Sequence, residues 1–210
     1  MVRAKRGRCA SRHSAPISRI FSAKSIPSAK KRPEILCSVN YVVNVIPNAL
    51  QPGSADLGIV FSFEVPGGSD LETKPLGRDD LCLVVPNDHP LAASKSVILS
   101  SIRNENIILL ASLRYPFIQE VMNKVLHGVS GNVRINNTTT EVENLETMIL
   151  HVRFGEGVAL LPCIIAQERA GGCVLLGIND LDVSFQLCMC WKRSNTDPAL
   201  SLCLKHYDAE

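Results

Sequence analysis

A run of five apolar residues, Leu81 to Val85, constrains the fold of this chain more than any other stretch. An uninterrupted apolar run of this length is typical of a β-strand that is buried on both faces. Pro86 and Asn87 end the run, and His89-Pro90 imposes an extended or turned backbone. Because such a strand needs cover on both sides, the sequence predicts a sheet with helices on both of its faces, which is an α/β fold.

Further stretches predict strands and helices that would pack around this strand. Residues 107–111 form a second apolar run, and residues 183–191 alternate between apolar and polar side chains, which indicates a half-buried strand. Apolar residues between positions 118 and 126 recur at spacings of three and four, which is typical of one buried helix face. A short helix is predicted over residues 163–170, and Asp197-Pro198 predicts the start of a last helix.

Two helix starts are predicted where they would favour an anionic ligand. Pro116 is of a type favoured at the first helical position, and Thr140 with Glu143 has the T-x-x-E spacing of a capping box. The backbone N–H groups at such starts favour anions. Gly155 is predicted to end the second of these helices, and His151 in its last turn is predicted to act as a cation that suits the helix dipole.

Charge is distributed unevenly along the chain. Residues 1–33, which we call the basic tail, hold ten Lys or Arg and no Asp or Glu. The other 12 basic residues (22 − 10) stand against 20 acidic ones, so residues 34–210 carry a net charge of −8. The composition of the basic tail favours disorder, and an organelle transit peptide or a remnant of a DNA-binding head are the alternatives. Only the basic tail is predicted to hold DNA, and only non-specifically.

Eight cysteines raise the question of disulfides or a metal site. No C-x-x-C pair occurs, and most of the cysteines stand among apolar neighbours. They are therefore predicted to be free, to behave as small buried hydrophobes and to indicate a reducing cytoplasm. Cys188 and Cys190 are two positions apart in a predicted strand, so they should share a face.

Several function classes are excluded by the motifs. The sequence contains no nucleophile elbow, phosphate-binding loop or metal-ligand spacing, so no enzyme activity, metal or cofactor is predicted. His89 is a lone histidine in a turn and is predicted to pack or cap there. No apolar run reaches ~18 residues, so no membrane span is predicted.

Three blocks of residues resemble a known family. Leu81 to Ala92 is similar to the L-x-L-V-x-P-x-x-H-P-L-A segment in the ligand-sensing half of LysR-type transcriptional regulators. Arg153 to Pro162 resembles the family's V-x-x-G-x-G-I-A-L-L-P segment, whose glycines are predicted to allow a tight helix-to-strand turn. Ala55 to Val60 resembles its D-L-G-I strand. The resemblance covers about Ala55 to Tyr207 and implies the two-lobed type 2 periplasmic-binding-protein-like fold, an α/β fold with two connecting segments between the lobes.

The resemblance divides the chain into a tail and two lobes. Lobe I is expected over residues 34–103 and 188–210, and lobe II over residues 104–187. Only 16 residues lie between Val39 and Asp56, whereas a βαβ unit takes about 30 residues or more. The first lobe is therefore expected to be incomplete, as in an N-terminally truncated member of the family.

The resemblance also implies a function and a set of site residues. Members of the family bind a small effector in a cleft between the lobes, and the domain is expected to do the same with an anionic ligand. Small polar side chains near strand ends are the expected ligand contacts, with one arginine as a charge partner: Ser38, Asn40, Ser62, Ser112, Arg114, Asn137 and Thr138.

Two other functions remain open at this stage. A stand-alone small-molecule-binding protein of the same fold would need a signal peptide for export, and residues 1–33 lack its apolar segment. A nonfunctional regulator fragment would explain the short first lobe. The expected partners are a small-molecule effector and either a second copy of the chain or a full-length LysR-type protein, in the cytoplasm and away from membranes.

Overall fold

The computed structural model describes Leu50, residues 55–111, Val121, Met122, Val125 and residues 139–206. Strands and helices follow one another in the described chain, as an α/β fold requires. The strands are β1 (Gly58–Phe61), β2 (Leu71–Pro86), β3 (Ser96–Val97), β4 (Ile107–Leu110), β5 (Thr139–Val142), β6 (Ala159–Pro162), β7 (Cys173–Ile178) and β8 (Ser184–Lys192). The helices are α1 (Leu145–Arg153), α2 (Cys163–Arg169) and α3 (Pro198–His206), and short 3₁₀ turns span Ser62–Glu64, Pro90–Ala93 and Leu99–Ile102.

The described chain falls into two compact units. Unit A comprises residues 79–184, and unit B comprises the described residues up to Arg78 together with those from Phe185 onward. Residues 79–103, which were expected in lobe I, belong to unit A by their contacts. The reason is that β2 pairs with β6 and β7 from Leu81 onward. The basic tail and residues 34–49, on which the expectation of a short first lobe depends, lie outside the described residues.

The second half of β2 forms the centre of unit A. It pairs antiparallel with β6, from Leu81 opposite Pro162 to Val84 opposite Ala159, and antiparallel with β7 on its other edge. The strand β3 then pairs parallel with β7. The side chains from Cys82 to Val85 are 0% exposed. The prediction of a strand buried on both faces is confirmed, although β2 begins ten residues earlier than the apolar run.

A parallel pair of strands extends this arrangement. The strand β4 pairs in register with β5, from Ile107 opposite Thr139 to Leu110 opposite Val142. Ile107 also forms a parallel bridge with Val158, the residue before β6. All four residues of β4 are buried, which confirms the predicted strand at residues 107–111. The buried side of α1 packs in the same core through four apolar residues: Leu145, Met148, Ile149 and Val152.

The turn between α1 and β6 depends on a glycine. Gly155 has a φ of 75°, which favours glycine, and a Cβ at Gly157 would lie 2.4 Å from the backbone oxygen of Asn106. Since real Cβ atoms do not approach a backbone oxygen so closely, only glycine fits at position 157 without a backbone shift. The predicted tight helix-to-strand turn is confirmed.

Unit B is built on β8, which lies between β1 and β2 in the strand order. The strand β1 pairs antiparallel with β8, from Gly58 opposite Cys190 to Phe61 opposite Leu187. The prediction that β8 is half-buried is wrong in its middle, because every residue from Leu187 to Cys190 is buried. Cys188 and Cys190 fill the second face as small apolar side chains.

The two thiols of β8 behave as the cysteine pattern predicts. Both are free, and they share one face, where they pack in a cluster with Leu50, Val60 and Leu71. Burial, and to a lesser extent the neighbouring Cys188, raise the pKa of the Cys190 thiol to about 11. A thiol with so high a pKa is a poor nucleophile at neutral pH.

The last helix begins as its sequence indicates. The Asp197 carboxylate accepts a hydrogen bond from the Ala199 N–H at 2.7 Å, and Pro198 is the first residue of α3. The predicted N-cap is thus confirmed. The helix predicted over residues 163–170 is also present as α2. The described residues Val121, Met122 and Val125 are helical, as their spacing predicts.

Candidate functional site

Ser62 is the one predicted ligand contact within the described residues. The other six lie outside them: Ser38, Asn40, Ser112, Arg114, Asn137 and Thr138. Ser62 follows β1 directly and is the first residue of the 3₁₀ turn Ser62–Glu64. Its side chain is exposed, so the hydroxyl is accessible as a donor and an acceptor to a ligand.

The backbone around Ser62 is held by two short-range hydrogen bonds. The Phe61 N–H donates to Glu64 Oε2 at 2.8 Å, and the Val65 N–H donates to the Ser62 carbonyl at 3.3 Å. Burial raises the pKa of the Glu64 carboxyl above its ordinary value, and the hydrogen bond from the Phe61 backbone opposes that shift. The turn is therefore fixed by its own residues.

Three aromatic rings pack beside this turn within unit B. Phe61 stacks on Phe63 with ring centroids 5.5 Å apart. The ring centroid of Phe185 lies 5.6 Å from that of Phe61 in a tilted arrangement and 5.7 Å from that of Phe63 in a T-shaped one. Such centroid distances are those of favourable aromatic pairs. A polar hydroxyl beside an apolar aromatic cluster suits a small organic ligand that carries both a polar group and a hydrocarbon part.

The helix start predicted at Thr140 is wrong. Thr140 lies in β5, and its hydroxyl bonds to the Asn106 side chain at 2.9 Å. The helix α1 begins five residues later, where Asn144 Oδ1 accepts from the Thr147 N–H at 2.8 Å. β-branched threonines fit an extended strand as well as a helix cap, and pairing with β4 decides between the two. The backbone N–H groups that would favour an anion are therefore those of the first turn of α1, after Asn144.

Within unit A, the start of α1 lies next to the carboxyl ends of β4 and β5. The Ala111 N–H donates to the Val142 carbonyl at 2.8 Å, so the carboxyl ends of both strands meet there, next to the start of α1. Thr139, at the opposite end of β5, pairs with Ile107. The described residues next to Ser112 and next to Thr138 therefore lie at opposite ends of this strand pair.

His89 and His151 have structural partners. His89 Nδ1 accepts from the Leu91 N–H at 3.2 Å and caps the turn Pro90–Ala93, while its Nε2 lies 3.4 Å from Glu105 Oε1. This confirms the capping role predicted for His89. His151 lies in the last turn of α1, as predicted, and its Nδ1 contacts the Glu156 carboxylate. Among the described residues no group of three His, Cys, Asp or Glu is arranged to hold a metal ion.

Asp79 is a buried carboxylate that sequence reasoning missed. Its side chain is 1% exposed, and Oδ2 accepts a hydrogen bond from the Ile164 N–H at 3.1 Å. Ile164 belongs to the first turn of α2, whose N-cap position is occupied by Pro162 without a capping side chain. Asp79 therefore does for α2 what an N-cap residue usually does, from a strand far away in sequence. The only signal was a pair of acids, Asp79-Asp80, that precedes the apolar run.

Comparisons with known proteins agree with this architecture. The sequence profile of the LysR substrate binding domain matches residues 30–209. A probable RuBisCO transcriptional regulator of Cyanidioschyzon merolae is 30% identical over 102 residues, which is 47% of this chain and 32% of that protein. The HTH-type transcriptional regulator CysL of Bacillus subtilis is 35% identical over 51 residues, or 24% of this chain and 16% of that protein. The aligned segments thus span a third or less of these relatives.

Solved structures with a similar fold include effector-binding domains. The BenM effector binding domain with benzoate has a TM-score of 0.70 at 18% identity, covering 90% of this chain and 85% of that chain. The QuiR effector binding domain with shikimate has a TM-score of 0.64 at 18% identity, covering 90% of each chain. The CcmR regulatory domain of Synechocystis PCC6803 in complex with 2-PG has a TM-score of 0.67 at 17% identity, covering 91% of each.

No described helix is long and apolar enough to cross a membrane. The profile match covers most of the chain, and the fold is the two-lobed, periplasmic-binding-protein-like one that the three sequence blocks imply. This chain belongs to the LysR substrate-binding domain family.

Proposed function

We propose that this domain binds a small organic effector and thereby serves as the sensing part of a LysR-type transcriptional regulator. The observation that carries the proposal is the match of the family profile over residues 30–209. Three structures of the same fold were solved with benzoate, shikimate or 2-PG, and these are small polar compounds or acids. Effector binding would act by shifting an equilibrium between conformations.

Of the ligand contacts proposed for this domain, some lie among the described residues and the others lie outside them. Ser62 supports the proposal because it is exposed at the end of a strand and lies beside an aromatic cluster. Asn144 replaces Thr140 as the helix start at which an anionic group would find backbone N–H donors. The six contacts outside the described residues stay predictions, and so does the cleft between lobes.

The proposed role is regulatory rather than catalytic. Both curated relatives carry the names of transcriptional regulators, which supports a non-enzymatic role. We further propose a cytoplasmic location, which the spacing of the free cysteines favours. DNA would be held only non-specifically, through the basic tail, and assembly with a second copy or with a full-length LysR-type protein would supply sequence recognition.

A ligand titration tests the proposal. Benzoate, shikimate and 2-PG would each be added to the purified chain, and binding would be followed by thermal unfolding and ligand-observed NMR. We expect at least one of them to raise the unfolding temperature, and Ser62→Ala to weaken that effect. Ser101→Ala is the matched control, because Ser101 is also an exposed serine in a 3₁₀ turn. The absence of binding by all three compounds would refute the proposal for small acids of this kind.

A further inference from the structure

The turn that presents Ser62 is closed by a side chain that the sequence analysis did not single out. Glu64 is the third residue of the turn, and its carboxylate reaches back to the Phe61 N–H at 2.8 Å. This is the acidic half of a capping box, in which a side chain at the third position satisfies the backbone N–H that precedes the turn. Because Phe61 has no side-chain acceptor of its own to return the bond, Glu64 supplies the side-chain half of the closure, and the backbone bond from Val65 to Ser62 supplies the other.

The surroundings of Glu64 hold its carboxylate in place. Glu64 is half-buried, and burial raises the pKa of its carboxyl. The loss of solvation is unfavourable for the carboxylate, and the hydrogen bond from the Phe61 N–H offsets part of that loss. The residue to which it bonds, Phe61, is 8% exposed and packs against the rings of both Phe63 and Phe185. The donor of this hydrogen bond, Phe61, therefore belongs to a packed aromatic cluster, and the acceptor, Glu64, is the last residue of the turn.

We propose that Glu64 is a positioning residue for effector binding: its hydrogen bond to the Phe61 N–H fixes the backbone of the turn and thereby the place from which the Ser62 side chain reaches a ligand. The inference rests on the proposed function, since it requires Ser62 to contact a small ligand. A turn whose backbone is already fixed in the free protein does not have to be ordered when the ligand arrives. Loss of the Glu64 acceptor would therefore weaken binding without the removal of any atom that touches the ligand.

The experiment compares two replacements of Glu64 that differ in one property. Glu64→Gln keeps an oxygen that can accept from the Phe61 N–H, whereas Glu64→Leu keeps a similar volume and has no acceptor. Glu72→Gln and Glu72→Leu are the matched controls, because Glu72 is an exposed glutamate of the same unit. Affinity for benzoate, shikimate and 2-PG would be measured by calorimetry, with Ser62→Ala and the double variant Ser62→Ala/Glu64→Leu included.

We expect Glu64→Leu to weaken the best-bound probe by about tenfold, roughly the contribution of one hydrogen bond between Ser62 and the ligand that a displaced turn would no longer make. Glu64→Gln should stay within about threefold of the wild type, since it retains the acceptor. Because both residues act through one hydroxyl, the double variant should bind no worse than the weaker of the two single variants. Exchange of the Phe61 amide proton should be faster only in the two variants that carry Glu64→Leu, which would show that the turn has opened in a folded protein.

The outcomes separate the inference from the function on which it rests. If the wild type binds none of the probes, the proposed function is refuted and the positioning role with it. If the wild type binds a probe and Glu64→Leu binds it equally well, only the positioning role is refuted. The same holds if Glu64→Gln loses as much affinity as Glu64→Leu, or if the losses in the double variant simply add.

Discussion

Replacement of Asp79 should lower the free energy of unfolding of unit A by more than the replacement of an exposed residue does. Its carboxylate is 1% exposed and accepts the Ile164 N–H at the start of α2. In Asp79→Ala that N–H would remain buried without this acceptor, which costs about 1–3 kcal/mol. A lost helix cap costs about 1 kcal/mol by itself, and relief from the burial of a charge offsets part of the loss. We expect a net loss of about 2 kcal/mol in the free energy of unfolding.

The loss can be measured by urea unfolding followed by circular dichroism. For a chain of this size, about 2 kcal/mol corresponds to a fall of roughly 4–8 °C in the unfolding temperature. Asp79→Asn keeps an oxygen acceptor and should lose about half as much. The matched control is Asp80→Ala, because Asp80 is the next residue in the same strand and is exposed. If Asp79→Ala is no less stable than Asp80→Ala, or if the Ile164 amide stays equally protected from exchange, the capping role is refuted.

Four other outcomes are expected. Gly157→Ala should cost about 3 kcal/mol in urea unfolding, because its Cβ would collide with backbone, whereas Gly67→Ala meets nothing within 4 Å and should be neutral. Asn144→Ala should cost about 1 kcal/mol as the lost cap of α1, against no change for the exposed Asn104→Ala. The pKa of Glu64 in the folded protein lies above its ordinary 4.5, so its contribution to the free energy of unfolding is complete below pH 4.5 and is lost as the pH rises through the folded pKa. The free energy of unfolding of the wild type should therefore fall relative to that of Glu64→Gln as the pH rises through this range. Deletion of the basic tail should abolish binding to random DNA in gel-shift assays at low salt, and a sequence preference that persists at high salt without the tail would contradict the charge argument.

The elements that the sequence predicts correctly are those with a complete local signal. The apolar run from Leu81 to Val85 can be satisfied only by burial on both faces, and the structure buries it completely. Asp197 caps α3 through a hydrogen bond to a residue two positions away, so both partners are visible in the same short stretch. The turn after α1 is equally local at Gly155, because its φ of 75° is a property of the turn itself and the spacing of the glycines already indicates a tight turn.

The errors occur where a distant strand decides between two local possibilities. Thr140 and Glu143 have the spacing of a capping box, yet residues 139–142 also suit an extended strand, and pairing with β4 selects the strand. The strand β7 was not predicted at all, although its residues Cys173–Ile178 are largely apolar. Its place beside β2 is set by a register with residues about 90 positions earlier, from Cys82 opposite Gly177 to Pro86 opposite Cys173.

The proposed site combines both situations, and this explains why Ser62 could be proposed from the sequence whereas Glu64 could not. Ser62 was predicted because it follows a strand, and the structure places it, exposed, in a turn at that position. The contact that closes the turn is local as well, because Glu64 lies three residues from Phe61. The positioning role proposed for Glu64 could not be predicted, because an exposed glutamate in a loop would have the same local sequence. What makes Glu64 a fixed group is the packing of Phe61 against Phe185, which comes from the other end of the chain. A site residue that makes its own contact can thus be proposed from sequence, whereas one that positions another residue needs the tertiary structure.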